Sequence, residues 1–135
     1  MIVSENLDLV RSIYADWERG DHSSAEWADP EIEYVHVDGP DPGRWNGLGG
    51  MTEGFRVWLQ AWEDVRIDAD EYREPDDKHV LVLHHFTGRG KTSGMELAQM
   101  QAVGAWLFHI RGGKVTRMVH YFDRDRAFAD LGLKE

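Results

Sequence analysis

The sequence predicts a single α+β domain with a strongly curved, mainly antiparallel sheet. Apolar residues recur at helical spacing in the first half of the chain, and from Val65 onward the pattern changes to alternation, so most of the sheet follows the helices. The longest alternating run, Met95–Ile110, would extend about 50 Å if straight, at roughly 3.3 Å per residue. In a small domain such a strand must curve or bulge, and Gly104 is the expected bend. A helix laid across the concave side of this sheet would leave a cone-shaped cavity, where a functional site is expected.

The composition indicates one globular domain over residues 1–135. Hydrophobic residues at 41% and six tryptophans suffice for one core, and 30% charged residues suit a solvated surface. The net charge of −10 argues against nucleic acid or an anionic membrane surface as a partner. The chain has no cysteine, no apolar run long enough to span a membrane and no signal-peptide pattern in "MIVSENLDLV", so we expect a cytoplasmic protein.

Two helices are predicted at the start of the chain. The first is Ser4–Arg19, with its first residue as the N-cap and Gly20 as its end. Its apolar face consists of Val3, Leu7, Val10, Tyr14 and Trp17. A capping-box pattern in "SSAEWA" predicts a short second helix, Ser23–Ala28, which Pro30 prevents from continuing.

The middle of the chain reads as a strand, a loop and a helix. The alternating segment "EIEYVHV" predicts the strand, and the following "DGPDPGRWNGLGG", rich in glycine and proline, predicts the loop. The aromatic stripe of the next helix is formed by Met51, Phe55, Trp58 and Trp62.

The second half predicts an antiparallel meander and a closing helix. Tight connections are expected at "EPDDK" and "RGGK". The predicted strands are Val65–Tyr72, His79–Thr87, Met95–Ile110 and Val115–Phe122. Either Asp123 or Asp125 caps the short helix that follows, and Gly132 ends it.

Several segments together resemble the SnoaL-like branch of the nuclear transport factor 2-like superfamily. They are "YADWERGD", "DPEIEY", "WNGLGGMTEGFRVWLQAW" and "RGGKVTRMVHYFDRDRAFADLG", and the resemblance covers nearly the whole chain. It implies a cone-shaped, cystatin-like α+β fold with an apolar pocket inside and a homodimer formed through the outer face of the sheet. The superfamily includes polyketide cyclases, ketosteroid isomerases, limonene-epoxide hydrolases and dehydratases, so fold alone does not select a reaction.

Three histidines are predicted to point into this pocket. Side chains alternate along a strand, so Met118, His120 and Phe122 share one face. The resemblance to limonene-epoxide hydrolases places His120 where those proteins have an inward aspartate. Alternation also separates the adjacent histidines of "VLVLHHFTGRG", and we assign His84 inward because the face with His85 becomes more polar. On the first strand, Ile32, Tyr34 and His36 share a face.

The residues argue against two of the reactions in the superfamily. Epoxide hydrolysis needs two aspartates and an arginine, and the sequence offers no second acid opposite His120. Ketosteroid isomerases use a tyrosine and two aspartates, whereas here Tyr14 is one position out of register and Val35 and Ala105 fall near the acidic sites. SnoaL-type cyclases need only an apolar pocket and one acid or base, and a histidine with a pKa of about 6.5 can serve as either.

The predicted catalytic residues are therefore His120 and His84. The predicted pocket-lining residues are Tyr14, Trp17, Tyr34, His36, Trp58, Trp62, Phe86, Trp106, Phe108, Met118 and Phe122. Two alternatives stay open: His120 is catalytic or a hydrogen-bonded core histidine, and the aromatic residues form a ligand cage or close-packed core. Trp45 is expected as a lid or a dimer contact. The histidines lack a short metal-binding motif, so no metal and no cofactor are expected.

The sequence thus favours an enzyme that transfers a proton on a small apolar compound, of polyketide, steroid or terpenoid type. This would make the protein an isomerase, a cyclase or a hydrolase. The alternative, which rests on the missing partner acids, is a non-catalytic ligand-binding protein or a dimeric interaction module.

Overall fold

The computed structural model describes residues 5–19, 21, 26–38, 43–59, 62–90 and 103–132. The helices and strands, in chain order, are α1 Glu5–Glu18, β1 Ala28–His36, β2 Gly43–Asn46, α2 Gly47–Leu59, β3 Trp62–Arg73, β4 His79–Gly90, β5 Val103–Arg111, β6 Lys114–Tyr121 and α3 Arg124–Leu131. None of the helices in this part of the chain combines the length and the apolar character needed to cross a bilayer.

The strands form one curved, mixed sheet in the order β2-β1-β6-β5-β4-β3. All neighbours are antiparallel except β1 and β6, the first and the last strand, which are parallel. Their register places His36 beside His120. The predicted α+β class and curved sheet are confirmed.

The two faces of the sheet are covered by different helices. On the inner face, α1 and α2 pack on the strands, and α1 contributes Val10, Ile13, Tyr14 and Trp17, all buried. On the outer face, α3 packs Ala127 and Phe128 against a second apolar cluster that includes Leu107. Because adjacent strand residues point to opposite faces, each central strand contributes to both cores.

The closing helix agrees with the sequence prediction and resolves its alternative. Asp123 is the N-cap, and its side chain accepts a hydrogen bond from the backbone N–H of Asp125. Gly132 ends the helix in the left-handed conformation, with φ of 66°, which glycine adopts without steric cost. The "RGGK" hairpin between β5 and β6 is also confirmed.

The start of β1 corrects the predicted helix Ser23–Ala28. Within its described part, Glu26 and Trp27 form a turn and Ala28 already belongs to β1. The carbonyl of Trp27 accepts a hydrogen bond from the backbone N–H of Val115 at 2.8 Å. Pairing with β6 therefore overrides the local capping signal.

Two further corrections concern the ends of α2. Part of the predicted loop forms β2, whose Trp45 pairs with Tyr34 on β1, and α2 begins immediately afterwards at Gly47. At the other end, Trp62 is not on the helix: it starts β3 and pairs with Gly90. In both cases, hydrogen-bonded pairing with a neighbouring strand determines the secondary structure of these residues.

Gly104, the expected bend of the long strand, lies in a regular stretch of the pairing between β4 and β5, and a bend at this position stays a prediction. The register of these strands continues through the pair of Gly104 and His84 without a shift. A shift occurs instead between β5 and β6, at His109 and Ile110. The expectations for Val3, Ser4 and Gly20, and the part of the predicted strand before Val103, lie outside the described residues.

Candidate functional site

The sheet brings His36, His84 and His120 together on its inner face. All three side chains are buried, with exposed fractions of 5%, 0% and 1%. His84 is on β4 and His120 on β6, with β5 between them. They meet across β5 because Gly104 carries no side chain: a Cβ there would lie 3.1 Å from Nε2 of His84 and 3.4 Å from Nε2 of His120.

Tyr14, His84 and His120 form one hydrogen-bonded chain. The Tyr14 hydroxyl lies 2.9 Å from Nδ1 of His84, and Nε2 of His84 lies 3.2 Å from Nε2 of His120. A neutral imidazole has one donor and one acceptor nitrogen, so the chain can run in two directions. If Tyr14 donates, Nδ1 of His120 carries a proton; if Tyr14 accepts, Nδ1 of His120 presents a lone pair.

The hydrogen-bonded chain ends at Nδ1 of His120, and we call this nitrogen its open end. Nδ1 is buried and has no hydrogen-bond partner among the described residues. Nε1 of Trp106 is in the same state. Buried polar atoms in folded proteins are almost always satisfied, and the exceptions are often functional. His120 and Trp106 thus each have a buried nitrogen whose hydrogen-bonding capacity is unused among the described residues.

Burial determines the protonation states of Tyr14, His84 and His120. The pKa of His84 is well below its usual value, first because of desolvation and then because of the charges of Arg124 and His85. Desolvation also depresses the pKa of His120, with further contributions from His84 and His36. In Tyr14, burial raises the pKa. At neutral pH the three groups are therefore uncharged, and the histidines are available as bases.

A second hydrogen-bonded pair lies beside His120. The Tyr34 hydroxyl and Nε2 of His36 are 2.8 Å apart, on successive inward positions of β1. The His36 ring lies 5.5 Å from the His120 ring and 5.7 Å from the Phe122 ring, between ring centroids. His36 therefore belongs to the wall next to His120.

Aromatic rings surround the open end of the chain. The His120 centroid lies 4.2 Å from that of Phe122, 4.3 Å from that of Trp106 and 5.4 Å from that of Phe86. The predicted lining residues that the structure places in the inner core are Tyr14, Trp17, Tyr34, Phe86, Trp106, Phe108 and Met118. Phe122 is half-buried, and the side chains of Trp58 and Trp62 lie outside the described part.

Some neighbours of the site were not assigned to it from the sequence. Trp45, expected as a lid or dimer contact, packs its ring 5.6 Å from that of Tyr34 and 5.2 Å from that of His36. Phe55 lies 5.1 Å from the Tyr34 ring. The helical spacing around Phe55 predicted its burial, but its contact with β1 depends on how α2 crosses the sheet.

Arg124 supports the histidines from the outer side. It donates from Nη2 to the carbonyl of His84 at 2.6 Å and from Nε to the carbonyl of Gly104 at 3.1 Å. Its Nη2 also pairs with Asp70 at 2.6 Å. The guanidinium thus links the backbone of β4 at His84 to the backbone of β5 at Gly104, where the rings of His84 and His120 approach each other. No sequence pattern pointed to this role, because Arg124 is one of several charged residues in α3.

The described residues contain no group of three His, Cys, Asp or Glu side chains arranged to hold a metal ion. The structure also shows a surface cleft of about 670 Å³, which is lined in part by His79, His109 and Arg111. This cleft does not include the three inner histidines. The hydrogen-bonded chain of the inner site contains two imidazole rings and a phenol hydroxyl, which are groups that can exchange protons.

Comparison with known proteins gives one family. The family model for the SnoaL-like domain matches residues 10–118. No curated protein matches. One similar solved structure is TerC co-crystallised with polyporic acid, with 23% sequence identity and a TM-score of 0.74 over 95% of this chain and 98% of the other. A second, from Jannaschia sp. CCS1 and provisionally described as a SnoaL-like polyketide cyclase, has 13% identity and a TM-score of 0.74 over 97% of this chain and 94% of the other. A third, a ketosteroid isomerase-like protein from Catenulispora acidiphila DSM 44928 in complex with trimethylamine, has 16% identity and a TM-score of 0.70 over 94% of each chain. At these identities the structures support the fold, and the family match identifies the domain: the chain belongs to the SnoaL-like domain family.

Proposed function

We propose that this protein is an enzyme that moves a proton at an activated carbon of a small apolar compound, with His120 as the acid or base. The observation that carries the proposal is Nδ1 of His120, a buried nitrogen without a described partner at the open end of a hydrogen-bonded chain. Its depressed pKa keeps the ring in the basic form at neutral pH.

His84 assists by accepting a hydrogen bond from the His120 ring after that ring has received a proton. When Nδ1 of His120 is protonated, its Nε2–H donates to Nε2 of His84, and Nδ1–H of His84 donates to the Tyr14 hydroxyl. A hydrogen bond to a charged donor is stronger than one between neutral groups, especially in a medium of low polarity. The chain thereby stabilises the imidazolium that burial alone would disfavour.

The surroundings of His120 favour a flat, apolar substrate. Rings of Trp106, Phe86 and Phe122 face the histidine, and such surfaces bind polyketide-, steroid- or terpenoid-like compounds by burying apolar area. TerC, one of the similar structures, was crystallised with polyporic acid. This neighbour supports the proposal of a small organic ligand for the present chain.

The alternative function is a non-catalytic ligand-binding protein or a dimeric interaction module. It is favoured by one observation: no described carboxylate hydrogen-bonds to His84 or His120, whereas a catalytic histidine often has an acidic partner. Homodimer formation and a cytoplasmic location stay predictions from the sequence, and light scattering tests the first.

Solvent deuterium incorporation tests the enzyme directly. Apolar enolisable ketones that raise the melting temperature are first selected, since binding to the folded state alone stabilises it. We expect the protein to catalyse exchange of their α-hydrogens in D₂O, and His120→Gln to slow the exchange by about 100-fold or more. The control variant His79→Gln lies outside the inner site and keeps the rate. Equal rates for wild type and His120→Gln would exclude the catalytic role, and binding without exchange would favour the alternative.

A further inference from the structure

We propose that Trp106 is a further catalytic residue, which donates a hydrogen bond from Nε1 to the oxygen of an enolisable ketone whose neighbouring carbon His120 deprotonates. This inference rests on the proposed function and names its substrate class: compounds with a carbonyl, enol or phenol oxygen on a flat apolar framework.

The sheet places the side chains of Trp106 and His120 next to each other. They are direct cross-strand partners on β5 and β6, and their rings lie 4.3 Å apart at an angle of 33°. Trp106 is 2% exposed, and its indole nitrogen can only donate a hydrogen bond. No described residue accepts from it. The N–H of Trp106 can therefore donate to an acceptor that a ligand brings, such as a carbonyl oxygen, and the nearest titratable ring is the proposed base.

The Trp106 ring is held by its own contacts. It stacks on Phe55 with centroids 5.9 Å apart and an interplanar angle of 24°, and Trp17 and Tyr34 lie against it at 5.9 Å and 5.5 Å. A donor fixed in this way does not need to reorient when negative charge develops, which is the property that makes such donors effective in catalysis.

The step balances without an oxidant or a further reactant. Nδ1 of His120 takes the proton from the α-carbon, the electron pair of the broken C–H bond forms the carbon–carbon double bond of the enolate, and the carbonyl pair moves to oxygen. The N–H of Trp106 donates to that oxygen. Replacement of the His120 proton by a solvent deuteron, followed by its transfer to the same carbon, gives hydrogen exchange. Return of the proton to a conjugated carbon gives isomerisation.

Binding of 1-naphthol and of its methyl ether, 1-methoxynaphthalene, tests the oxygen site independently of turnover. The naphthol oxygen can accept from Trp106 and donate to His120, whereas the ether oxygen cannot donate. We expect the wild type to bind naphthol at least about tenfold more tightly, since each hydrogen bond lost in a buried site has about this effect. The indole ¹H–¹⁵N signal of Trp106, assigned as the one missing in Trp106→Phe, should move downfield with naphthol.

Trp106→Phe keeps an aromatic ring but removes the donor, so it should weaken naphthol binding about tenfold and slow ketone exchange. Trp27→Phe, a tryptophan replacement elsewhere in the core, should change neither. The inference is overturned if the indole signal does not respond to naphthol, or if Trp106→Phe retains wild-type naphthol affinity. Where Trp106→Phe does not fold, contacts with the Phe55 and His120 rings in nuclear Overhauser spectra assign the Trp106 indole signal of the wild type, and its response to naphthol decides.

The two proposals fail in different ways. If no ketone exchanges deuterium but naphthol binding still depends on Trp106, the proposed reaction is wrong and the oxygen site stands as a binding site. If exchange depends on His120 but not on Trp106, the proposed reaction stands and the role of Trp106 is wrong.

Discussion

Nε2 of His84 and Nε2 of His120 lie 3.2 Å apart, although their strands are separated by a third strand. Gly104, on the strand between them, leaves the space in which the two rings approach. Because both rings are buried and hydrogen-bonded to each other, they titrate as a pair and not as two independent groups. The approach of the two rings, on which the proposed base depends, therefore follows from the register of the three strands.

Replacing Gly104 by alanine should damage this pair. The new Cβ would lie 2.6 Å from the carbonyl oxygen of Tyr121, a backbone atom, and 3.1 Å from Nε2 of His84. Overpacking of this kind costs roughly 1–3 kcal/mol. We expect a lower free energy of unfolding and loss of the bond between the histidines. Gly49→Ala is the matched control, since no atom lies within 4 Å of its Cβ and alanine suits a helix better than glycine. Equal stability of Gly104→Ala and wild type in urea unfolding would contradict the packing described.

Tyr14→Phe should shorten the hydrogen-bonded chain without emptying the core. The ring remains, but Nδ1 of His84 loses its partner at 2.9 Å. Leaving a buried polar atom unpaired costs about 1–3 kcal/mol. We expect this loss in chemical unfolding, together with a fall in ketone exchange that is smaller than that of His120→Gln, because the base itself is retained. An exchange rate as low as that of His120→Gln would assign Tyr14 a direct role in place of a supporting one.

Arg124→Met should loosen the strands beneath the histidines. The variant removes the hydrogen bonds to the carbonyls of His84 and Gly104, and the free energy of unfolding should fall by about 1–3 kcal/mol. The pKa of His84 should rise, because Arg124 is the second cause of its depression after burial. Arg124→Lys keeps the charge and should keep the low pKa, but it cannot reproduce the two-pronged geometry. A pKa of His84 that is equal in both variants and the wild type would exclude this electrostatic contribution.

Acidification should destabilise the protein from pH 7.5 to pH 5. The folded-state pKa values of His84 and His120 are lowered mainly by burial, and that of His109 is lowered to about 4 by burial and then by His79. In the unfolded chain a histidine titrates near 6.5. Between the two pKa values the unfolded state binds more protons, so stability is complete above about pH 6.5 and falls towards the folded-state pKa.

Urea unfolding at half-unit pH intervals checks this slope. His120→Gln, which removes one of the three depressed groups, should show a shallower fall than the wild type. A free energy of unfolding that stays constant from pH 7.5 to pH 5 would show that these histidines are not protected from protonation in the folded state.

The sequence predicted the face of the sheet on which the three histidines lie, because alternation along a strand is a local property. Assigning one face to each strand was enough to place His36, His84 and His120 on the same side of the sheet, and the caps of α3 follow from Asp123 and Gly132. The positions that it missed depend on partners far along the chain.

Trp62 illustrates the limit. Its spacing from Met51 and Phe55 fits a helix, but pairing with β4 places it at the start of β3. The open space at Gly104 likewise requires the registers of both neighbouring strands, and neither register can be read from a glycine in one sequence. The contacts of Arg124 require the path of α3 across the outer face.

The central claim is that His84 and His120 form a neutral, hydrogen-bonded pair in the interior. Nitrogen NMR of the protein labelled with ¹⁵N-histidine tests it, since imidazole nitrogen shifts distinguish protonated from bare nitrogens. From pH 7.5 to pH 5.5 we expect both rings to stay neutral, with one proton between the two Nε2 atoms. Titration of either ring near pH 6.5, or two Nε2 atoms that are both bare at pH 7.5, would contradict the pair and the catalytic role built on it.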